Sequence, residues 1–221
     1  MKNASILIST VILILGLSSC EKGGPIGDDQ ANISQSLAAI KTTVQNLPTE
    51  TLEVEEKERI LFIREEEKLA YDVYQAMFDK YGVNVFQNIP NSELSHMEAM
   101  LLLITKYNLV DPMDKNPRGV FADADLQALY NQLVSQGNVS LLAAYQVGAK
   151  IEELDIHDLN LSLAVSNNQD IKVVYDFLNK GSRNHLRSFY KNLVKVGGTY
   201  TPVYITQTEF DAIVNTPTEK M

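Results

Sequence analysis

Residues 53–80, EVEEKERILFIREEEKLAYDVYQAMFDK, decide the fold. This stretch has no glycine or proline and is rich in strong helix formers, so it predicts one long helix from about Glu53 to Lys80 that Gly82 ends. Residues at alternating steps of three and four lie on one face of a helix, which we call its stripe. The stripe of this helix contains Ile60, Ile63, Glu67, Ala70, Tyr74 and Met77. One carboxylate therefore lies among side chains expected to face a core.

The rest of the chain predicts five further helices and an irregular tail. The expected helices are residues 33–47, a helix that starts between Val85 and Ser92 and ends near Tyr107, Asp123–Gln136, Val139–Leu159 and Asn168–Val196. Pro90 suits the first turn of its helix, with Asn91 or Ser92 as the cap. Four of these helices are long, and a long connection from Asn108 to Asn138 separates the second from the third. We therefore predict an all-α protein, a four-helix bundle with one crossover connection and extra short helices.

The N-terminus has the features of an export signal. Lys2 precedes the short apolar run ASILISTVILILGLSSC, whose last residues resemble a bacterial lipobox that ends at Cys20. We predict a lipoprotein signal peptide at 1–19, then a lipidated Cys20, a tether over 21–29 and a short helix within 20–50, and a folded domain at 51–221. The expected location is the bacterial cell envelope, with the membrane as a partner through the lipid. The alternative is an ordinary secreted protein with a free thiol.

Composition excludes some functions. The formal net charge is -9 and no basic cluster is visible, which argues against nucleic-acid binding. Cys20 is the only cysteine, so the chain has no intrachain disulfide and no cysteine-ligated iron–sulfur or rubredoxin centre. If the protein is redox-active, an external electron donor is required.

The stripes of the other three long helices also contain polar residues. They are Ile89, Glu93, His96, Met100, Leu103 and Tyr107; Leu141, Tyr145, Gly148, Glu152, Asp155 and Leu159; and Ile171, Val174, Leu178, Ser182, His185 and Phe189. A buried carboxylate is unfavourable by several kcal/mol, on the order of 3–5, unless it is paired or bound to a cation. Carboxylates and imidazoles that converge from four helices therefore predict a site for iron, manganese or zinc.

Other interpretations remain open at this point. A single Glu-x-x-His pair such as Glu93 and His96 is common on exposed helix faces, and Glu67 lies in the charge run REEEK, which is usually on the surface. Glu66 competes with Glu67, since apolar residues surround it at helical spacing. The polar groups of the stripes could also bond one another, His185 to Glu93 or Asp155 for example, without a metal.

The chain resembles a known family in four blocks. REEEKLAYDVY, FQNIPNSELSHMEAM, VGAKIEELDIHDL and GSRNHLRSF look like the signature blocks of the DUF2202 family, placed in the ferritin-like superfamily, in the expected order between Ile60 and Phe189. The resemblance implies a rubrerythrin-like four-helix bundle and a probable metal site. It implies no particular reaction, because the family has no established activity.

The resemblance also implies a ligand set. In rubrerythrin-like proteins the first ligand glutamate has alanine at +3 and tyrosine at +7, a spacing that Glu67 has and Glu66 lacks. The implied metal ligands are Glu67, Glu93, His96, Glu152, Asp155 and His185. Glu153, paired with His157 one turn further along the helix, is the fallback for Glu152. Tyr74, Ser182 and Asn184 are expected to touch these ligands. The fourth helix departs from the pattern, because Gly181 and Ser182 occupy the turn where a further glutamate is expected. Two alternatives therefore stay open, a di-metal site completed by Asp155 and a single-metal site.

The function predicted from the sequence is that of an exported, lipid-anchored, ferritin-like metal-binding protein. Reduced iron, or alternatively manganese, in such a site would react with dioxygen or peroxide. The alternatives are metal binding or storage without turnover, and a metal-free structural or interaction role on the envelope. The sequence leaves open whether the bundle forms a homodimer.

Overall fold

A computed structural model describes residues 26–113 and 115–221, and this part of the chain is all-helical. Its seven helices are α1 (Ile26–Asn46), α2 (Val54–Tyr81), α3 (Val85–Lys106), α4 (Ala124–Gly137), α5 (Leu141–Val165), α6 (Gln169–Lys195) and α7 (Gln207–Val214). No strand occurs in the two described ranges. The all-α class predicted from the sequence is confirmed, whereas the predicted signal peptide and Cys20 lie outside the described residues.

The long helices α2, α3, α5 and α6 pack side by side as a bundle. The turn at Gly82, which has a left-handed φ of 62°, reverses the chain between α2 and α3. Helix α3 runs in the same direction as α5, because Phe86 near the start of α3 stacks on Tyr145 near the start of α5. The connection 107–140 must therefore run back along the bundle, and it carries α4.

The core has two apolar clusters, one toward each end of the bundle. The first includes Tyr74, Phe86 and Phe189 and is closed by α4 and α7. The second includes Ile63, Met100 and Leu178 and is covered by α1. Glu67, Glu93, His96, Glu152 and His185 come between these positions on their helices and form a buried polar layer. This layer is the candidate site.

The charge run Arg64–Lys68 of α2 is fully buried, which corrects the expectation that such a run lies on the surface. Arg64 bonds Asp111 and the carbonyl of Met97, while Lys68 bonds Asp72 and the carbonyl of Pro117. The Glu65 carboxylate accepts hydrogen bonds from the backbone N–H groups of residues 122 and 123. Three members of the run thus hold the crossover connection against α2 and fix the position of Glu66 and Glu67 between them.

Helix boundaries differ from the prediction at several places. Helix α3 begins at Val85, the first residue of its predicted start range, but Pro90 lies inside it and neither Asn91 nor Ser92 caps its start. The reason is that Phe86 and Ile89 are buried, and their packing carries the helix back past the proline. Helix α1 begins at Ile26, within the predicted tether, and α5 continues to Val165.

Helix α7 is absent from the prediction. Thr206 and Glu209 form a capping box at its start, and Phe210 and Ile213 bury its inner face. A capping box followed by two apolar residues three apart is a sequence signal for the start of a helix, so α7 could have been predicted from the sequence.

None of the helices in the described part of the chain is long and apolar enough to cross a membrane.

Candidate metal centre

Six predicted ligand residues are buried together in the polar layer. Helix α2 contributes Glu67, α3 contributes Glu93 and His96, α5 contributes Glu152 and Asp155, and α6 contributes His185. Two groups of three have ligand atoms that all lie within 4.8 Å of one another. They are Glu67–Glu93–His96 and Glu93–Glu152–His185. Glu93 belongs to both groups, so the site has two halves that share one carboxylate.

The Glu93 carboxylate lies between the two imidazole rings. Its Oε2 is 2.9 Å from Nδ1 of His96, and its Oε1 is 2.9 Å from Nδ1 of His185. Both Glu93 oxygens nevertheless lack a hydrogen-bond partner with acceptable angles among the described residues. His96 Nδ1 makes its hydrogen bond with Glu67 Oε2 instead, at 3.0 Å. The Glu93 oxygens are thus close to both imidazoles and remain available to a cation.

Each half of the site is completed by a second carboxylate. Glu67 Oε2 lies 3.0 Å from Nδ1 of His96, and Glu152 Oε2 lies 3.3 Å from Nδ1 of His185. The two imidazole rings have centroids 5.4 Å apart and are inclined by 28°. The arrangement is nearly symmetric about Glu93.

The protonation of these groups follows from their shared burial. Burial lowers the pKa of His96, but the adjacent carboxylates of Glu67 and Glu93 outweigh it and raise that pKa to about 9. Burial raises the pKa of Glu93, but the two imidazoles outweigh it and hold that pKa well below its usual range. Burial raises the pKa of Glu152 to about 7. Without a cation, the layer therefore holds protons on imidazoles and on carboxyl groups of the same cluster.

Asp155 lies next to the same layer, one helical turn beyond Glu152 on α5. Its side chain is 1% exposed, and neither carboxylate oxygen has a hydrogen-bond partner within the described ranges. Burial, followed by the neighbouring charges of Glu66 and Glu67, raises the pKa of Asp155 well above its usual value. Asp155 is not a member of either group of three.

Tyr74 supports one ligand directly. Its hydroxyl donates a 2.6 Å hydrogen bond to Glu152 Oε1, which leaves Oε2 to face His185. The Tyr74 ring also packs against Phe86 and Phe189 in the adjacent apolar cluster. Tyr74 thus combines core packing with orientation of a ligand.

Ser182 and Asn184 make other contacts. The Ser182 hydroxyl donates to the carbonyl of Leu178 in its own helix. The Asn184 side chain donates to the carbonyl of Glu219 and accepts from the N–H of the same residue. The structure therefore brings Tyr74 to the ligands, and it directs Asn184 toward the C-terminal segment.

Gly181 explains the departure of the fourth helix from the ferritin-like pattern. A Cβ atom at this position would lie 2.2 Å from Nε2 of His96 and 2.5 Å from its Cε1. The His96 ring thus fills the place where a side chain on this turn of α6 would begin. This role of Gly181 was not predicted, although a glycine inside a long helix, four residues before His185, is a signal for it.

The structure separates the alternatives Glu66 and Glu153 from the two groups of three. Glu153 Oε2 accepts from the Tyr200 hydroxyl at 2.5 Å, and its Oε1 accepts from the backbone N–H groups of Val203, Tyr204 and Ile205. Glu66 lies beside Asp155 and Asp158, and the ring of His157 lies against Tyr204. Glu153 holds the C-terminal segment, and Glu66 lies on the outer side of the layer.

These features define the class of protein: a helical bundle whose interior holds a carboxylate–histidine cluster with ligand atoms close enough together to hold a metal ion. The chain belongs to the DUF2202 family, described as an uncharacterized protein domain, whose family model matches residues 56–217. The predicted resemblance to DUF2202 is thereby confirmed.

Two comparisons point to an archaeal relative. The chain is 44% identical over 177 residues to the uncharacterized protein MJ0754 of Methanocaldococcus jannaschii, a match that covers 80% of this chain and 96% of that protein. Its fold matches the crystal structure of hypothetical protein MJ0754 from Methanococcus jannaschii with a TM-score of 0.77, covering 79% of this chain and 99% of the other.

Proposed function

We propose that this protein is a ferritin-like metalloprotein that binds two transition-metal ions, iron or alternatively manganese or zinc, inside the bundle. Glu67 and His96 would hold one ion, Glu152 and His185 the other, and Glu93 would bridge them. The observation that carries the proposal is the position of Glu93, which offers one oxygen to each half of the site at 2.9 Å from an imidazole nitrogen.

Charge balance supports two cations. Glu67, Glu93, Glu152 and Asp155 are at most 1% exposed, and carboxylates in such surroundings need compensation. Two divalent ions would balance these four carboxylates with both imidazoles neutral. Mixed oxygen and imidazole ligation suits iron, manganese and zinc, and it is less suited to calcium or magnesium.

The bound metal would supply redox chemistry toward dioxygen or peroxide if iron or manganese occupies the site. The roles of the chain follow from its contacts. Tyr74 holds Glu152 in place through its hydrogen bond, and Phe86 and Phe189 exclude water from one side of the layer. Asp155 offers a further carboxylate close to both halves.

We also propose that the protein is exported and held on the cell envelope by a lipid on Cys20, which the apolar run and lipobox-like sequence support. Metabolic labelling with a radioactive fatty acid tests this: wild type should carry the label, and Cys20→Ser should not. Equal labelling of both would contradict the proposal.

Metal analysis of the untagged protein, purified without chelators, tests the centre. We expect about two metal ions per chain in the wild type and a strong loss in the double variant Glu93→Ala, His96→Ala. Glu98→Ala is the matched control, because Glu98 is exposed on the same helix. The proposal would be refuted if wild type contains much less than one metal ion per chain and the double variant contains the same amount.

Oxygen consumption after addition of ferrous iron to the metal-free protein tests for turnover. We expect uptake that the double variant lacks. Metal bound at full occupancy without oxygen or peroxide chemistry would instead identify a metal-binding or storage protein.

A further inference from the structure

A row of carboxylates leads from the candidate centre to the surface between α2 and α5. On α5, Glu152, Asp155 and Asp158 follow one another at intervals of three, so each is a neighbour of the next and the row turns gradually around the helix. Glu152 and Asp155 are at most 1% exposed, whereas the Asp158 side chain is 13% exposed. The row thus runs from the fully buried layer to solvent.

Helix α2 contributes the facing side of this row. Glu66 is 2% exposed, and its carboxyl interacts with those of Asp155 and Asp158. Two turns earlier on the same face of α2, Arg59 makes an ion pair with Asp158 at 3.7 Å. The order from outside to inside is therefore Arg59, Asp158, Glu66 and Asp155.

A surface depression opens at the outer end of the row. It is lined by Val54, Glu55, Glu58, Arg59 and Phe62. Glu55 and Glu58 are exposed acidic residues, so the depression attracts cations toward the place where Arg59 meets Asp158.

The inner part of the row lacks the partners that a purely structural role would require. Both carboxylate oxygens of Asp155, and Oε1 of Glu66, are buried without a hydrogen-bond partner in the described part of the chain. Buried carboxylates of structural importance are normally paired, as Glu65 and Glu153 are here. Asp155 is therefore unpaired, and Glu66 is paired with another carboxyl group, that of Asp158, with one oxygen left over. Buried carboxyl groups that meet mainly one another point to a cation that passes between them.

We infer that Asp158 and Glu66 form a transient divalent-cation site on the path by which metal reaches the centre. The Arg59–Asp158 ion pair closes the outer end of this path, and an incoming cation competes with Arg59 for Asp158. This inference rests on the proposed metal-binding function, and it assigns to Glu66 and Asp158 a role in the rate of metal binding.

The rate of cobalt(II) binding to the metal-free full-length protein tests the inference, followed by stopped-flow visible absorption. Asp158→Asn and Glu66→Gln should slow binding about tenfold, since local charge of this kind changes association rates by about that much or more. Arg59→Gln should accelerate it. The final amount of bound cobalt should equal that of wild type in all three variants.

Asp79→Asn and Arg118→Gln are the matched controls, because Asp79 and Arg118 form an exposed ion pair at 2.8 Å on the same helix and its neighbouring loop. Thermal unfolding of each variant confirms folding. If wild type binds its full amount of cobalt and Asp158→Asn and Glu66→Gln bind it as fast as the control variants, this inference is wrong. The proposed metal-binding function would still stand. Lower final cobalt in Asp158→Asn would also overturn it, by making Asp158 part of the centre. A wild type that binds no cobalt would refute the proposed function as well.

Discussion

Glu93 makes the two halves of the candidate centre one unit. Each of its oxygens lies against a different imidazole, one on its own helix and one on α6. Because His96 also contacts Glu67 and His185 also contacts Glu152, a change at Glu93 affects four neighbouring ligands. Its pKa is held low by the two imidazoles, so it remains ionised and available to a cation at any physiological pH.

The His96 ring depends on the absence of a side chain at position 181. Gly181→Ala would place a Cβ atom 2.2 Å from Nε2 of a ring that is 0% exposed and has no space to move. Although alanine favours a helix over glycine, we expect overpacking to dominate and to lower the free energy of unfolding by about 1–3 kcal/mol. Metal content should fall as well. Chemical denaturation measures the free energy of unfolding, and metal analysis measures the metal content.

Ser182→Ala provides the control for that substitution, because the Ser182 hydroxyl bonds only a carbonyl of its own helix among the contacts described. It should bind metal as wild type does. A Gly181→Ala protein with wild-type stability and metal content would contradict the assigned packing of His96.

Tyr74 allows the roles of packing and ligand orientation to be separated. Tyr74→Phe keeps the ring among Phe86 and Phe189 but removes the hydrogen bond to Glu152. Loss of such a partner typically reduces metal affinity about 10- to 100-fold, so we expect weaker binding in a competitive titration with little change in fold. Tyr145→Phe alters another hydroxyl in the same apolar cluster and should leave affinity unchanged. Equal affinities in the two variants would reduce Tyr74 to a packing residue.

At the scale of helices, the local sequence was sufficient to predict a helix boundary wherever a helix-forming run ends at a strong signal. Helix α2 ends at Gly82 as predicted, and α4 and α6 agree with prediction to within a residue at each end. Helix α3 starts within its predicted range, but the first-turn position expected for Pro90 was wrong because burial of Phe86 and Ile89 carries the helix back past it. The end of α5 was placed too early because residues 160–165 contain nothing that stops a helix. These errors occur where packing between elements decides the boundary.

Adjacent residues on α5 perform two different tasks. Glu152 faces the candidate centre, whereas Glu153 binds residues 200–205 through three backbone N–H groups and the Tyr200 hydroxyl. The sequence could not separate these two glutamates by type, because the difference lies in which neighbour each one meets.

Glu153→Ala should release the C-terminal segment while the centre keeps its metal. Loss of these charge-assisted hydrogen bonds should lower the free energy of unfolding by roughly 2–4 kcal/mol. Hydrogen exchange should show lost protection at residues 203–205. Glu152→Ala should have the opposite pattern, with metal lost and the segment protected. Metal loss in Glu153→Ala with the segment still protected would reverse the assignment.

At the scale of the molecule, the polar layer lies between two apolar clusters. These clusters bury its carboxyl and imidazole groups, and the burial contributes to their shifted pKa values. The stripes predicted which residue types face inward, and the four polar stripes do meet at one level. Their spacing could not predict that Glu66 and Asp158 line a row beside Asp155, since that depends on the register between α2 and α5. It also could not show that the crossover buries the charge run of α2.

The protons held by the metal-free layer make metal binding depend on pH. His96 has a pKa of about 9 without metal, and only its neutral form can ligate, so binding at neutral pH must displace its proton. Glu152, with a pKa of about 7, adds a second displaced proton below that pH. Burial lowers the pKa of His185, but Glu93 and Glu152 raise it well above its usual value, so its proton must be displaced too. Affinity should therefore rise with pH through neutrality, roughly tenfold per unit for each proton displaced, and most steeply below 7.

Isothermal titration with zinc in two buffers of different ionisation enthalpy measures this proton release. We expect at least one proton released per chain at pH 8, where Glu152 is already mostly ionised, and more at pH 6. Glu98→Ala should release the same number as wild type, since Glu98 is exposed and outside both groups of three. Zinc affinity that is constant from pH 6 to 9 would show that neither the imidazoles nor Glu152 release a proton when metal binds, and it would contradict this prediction.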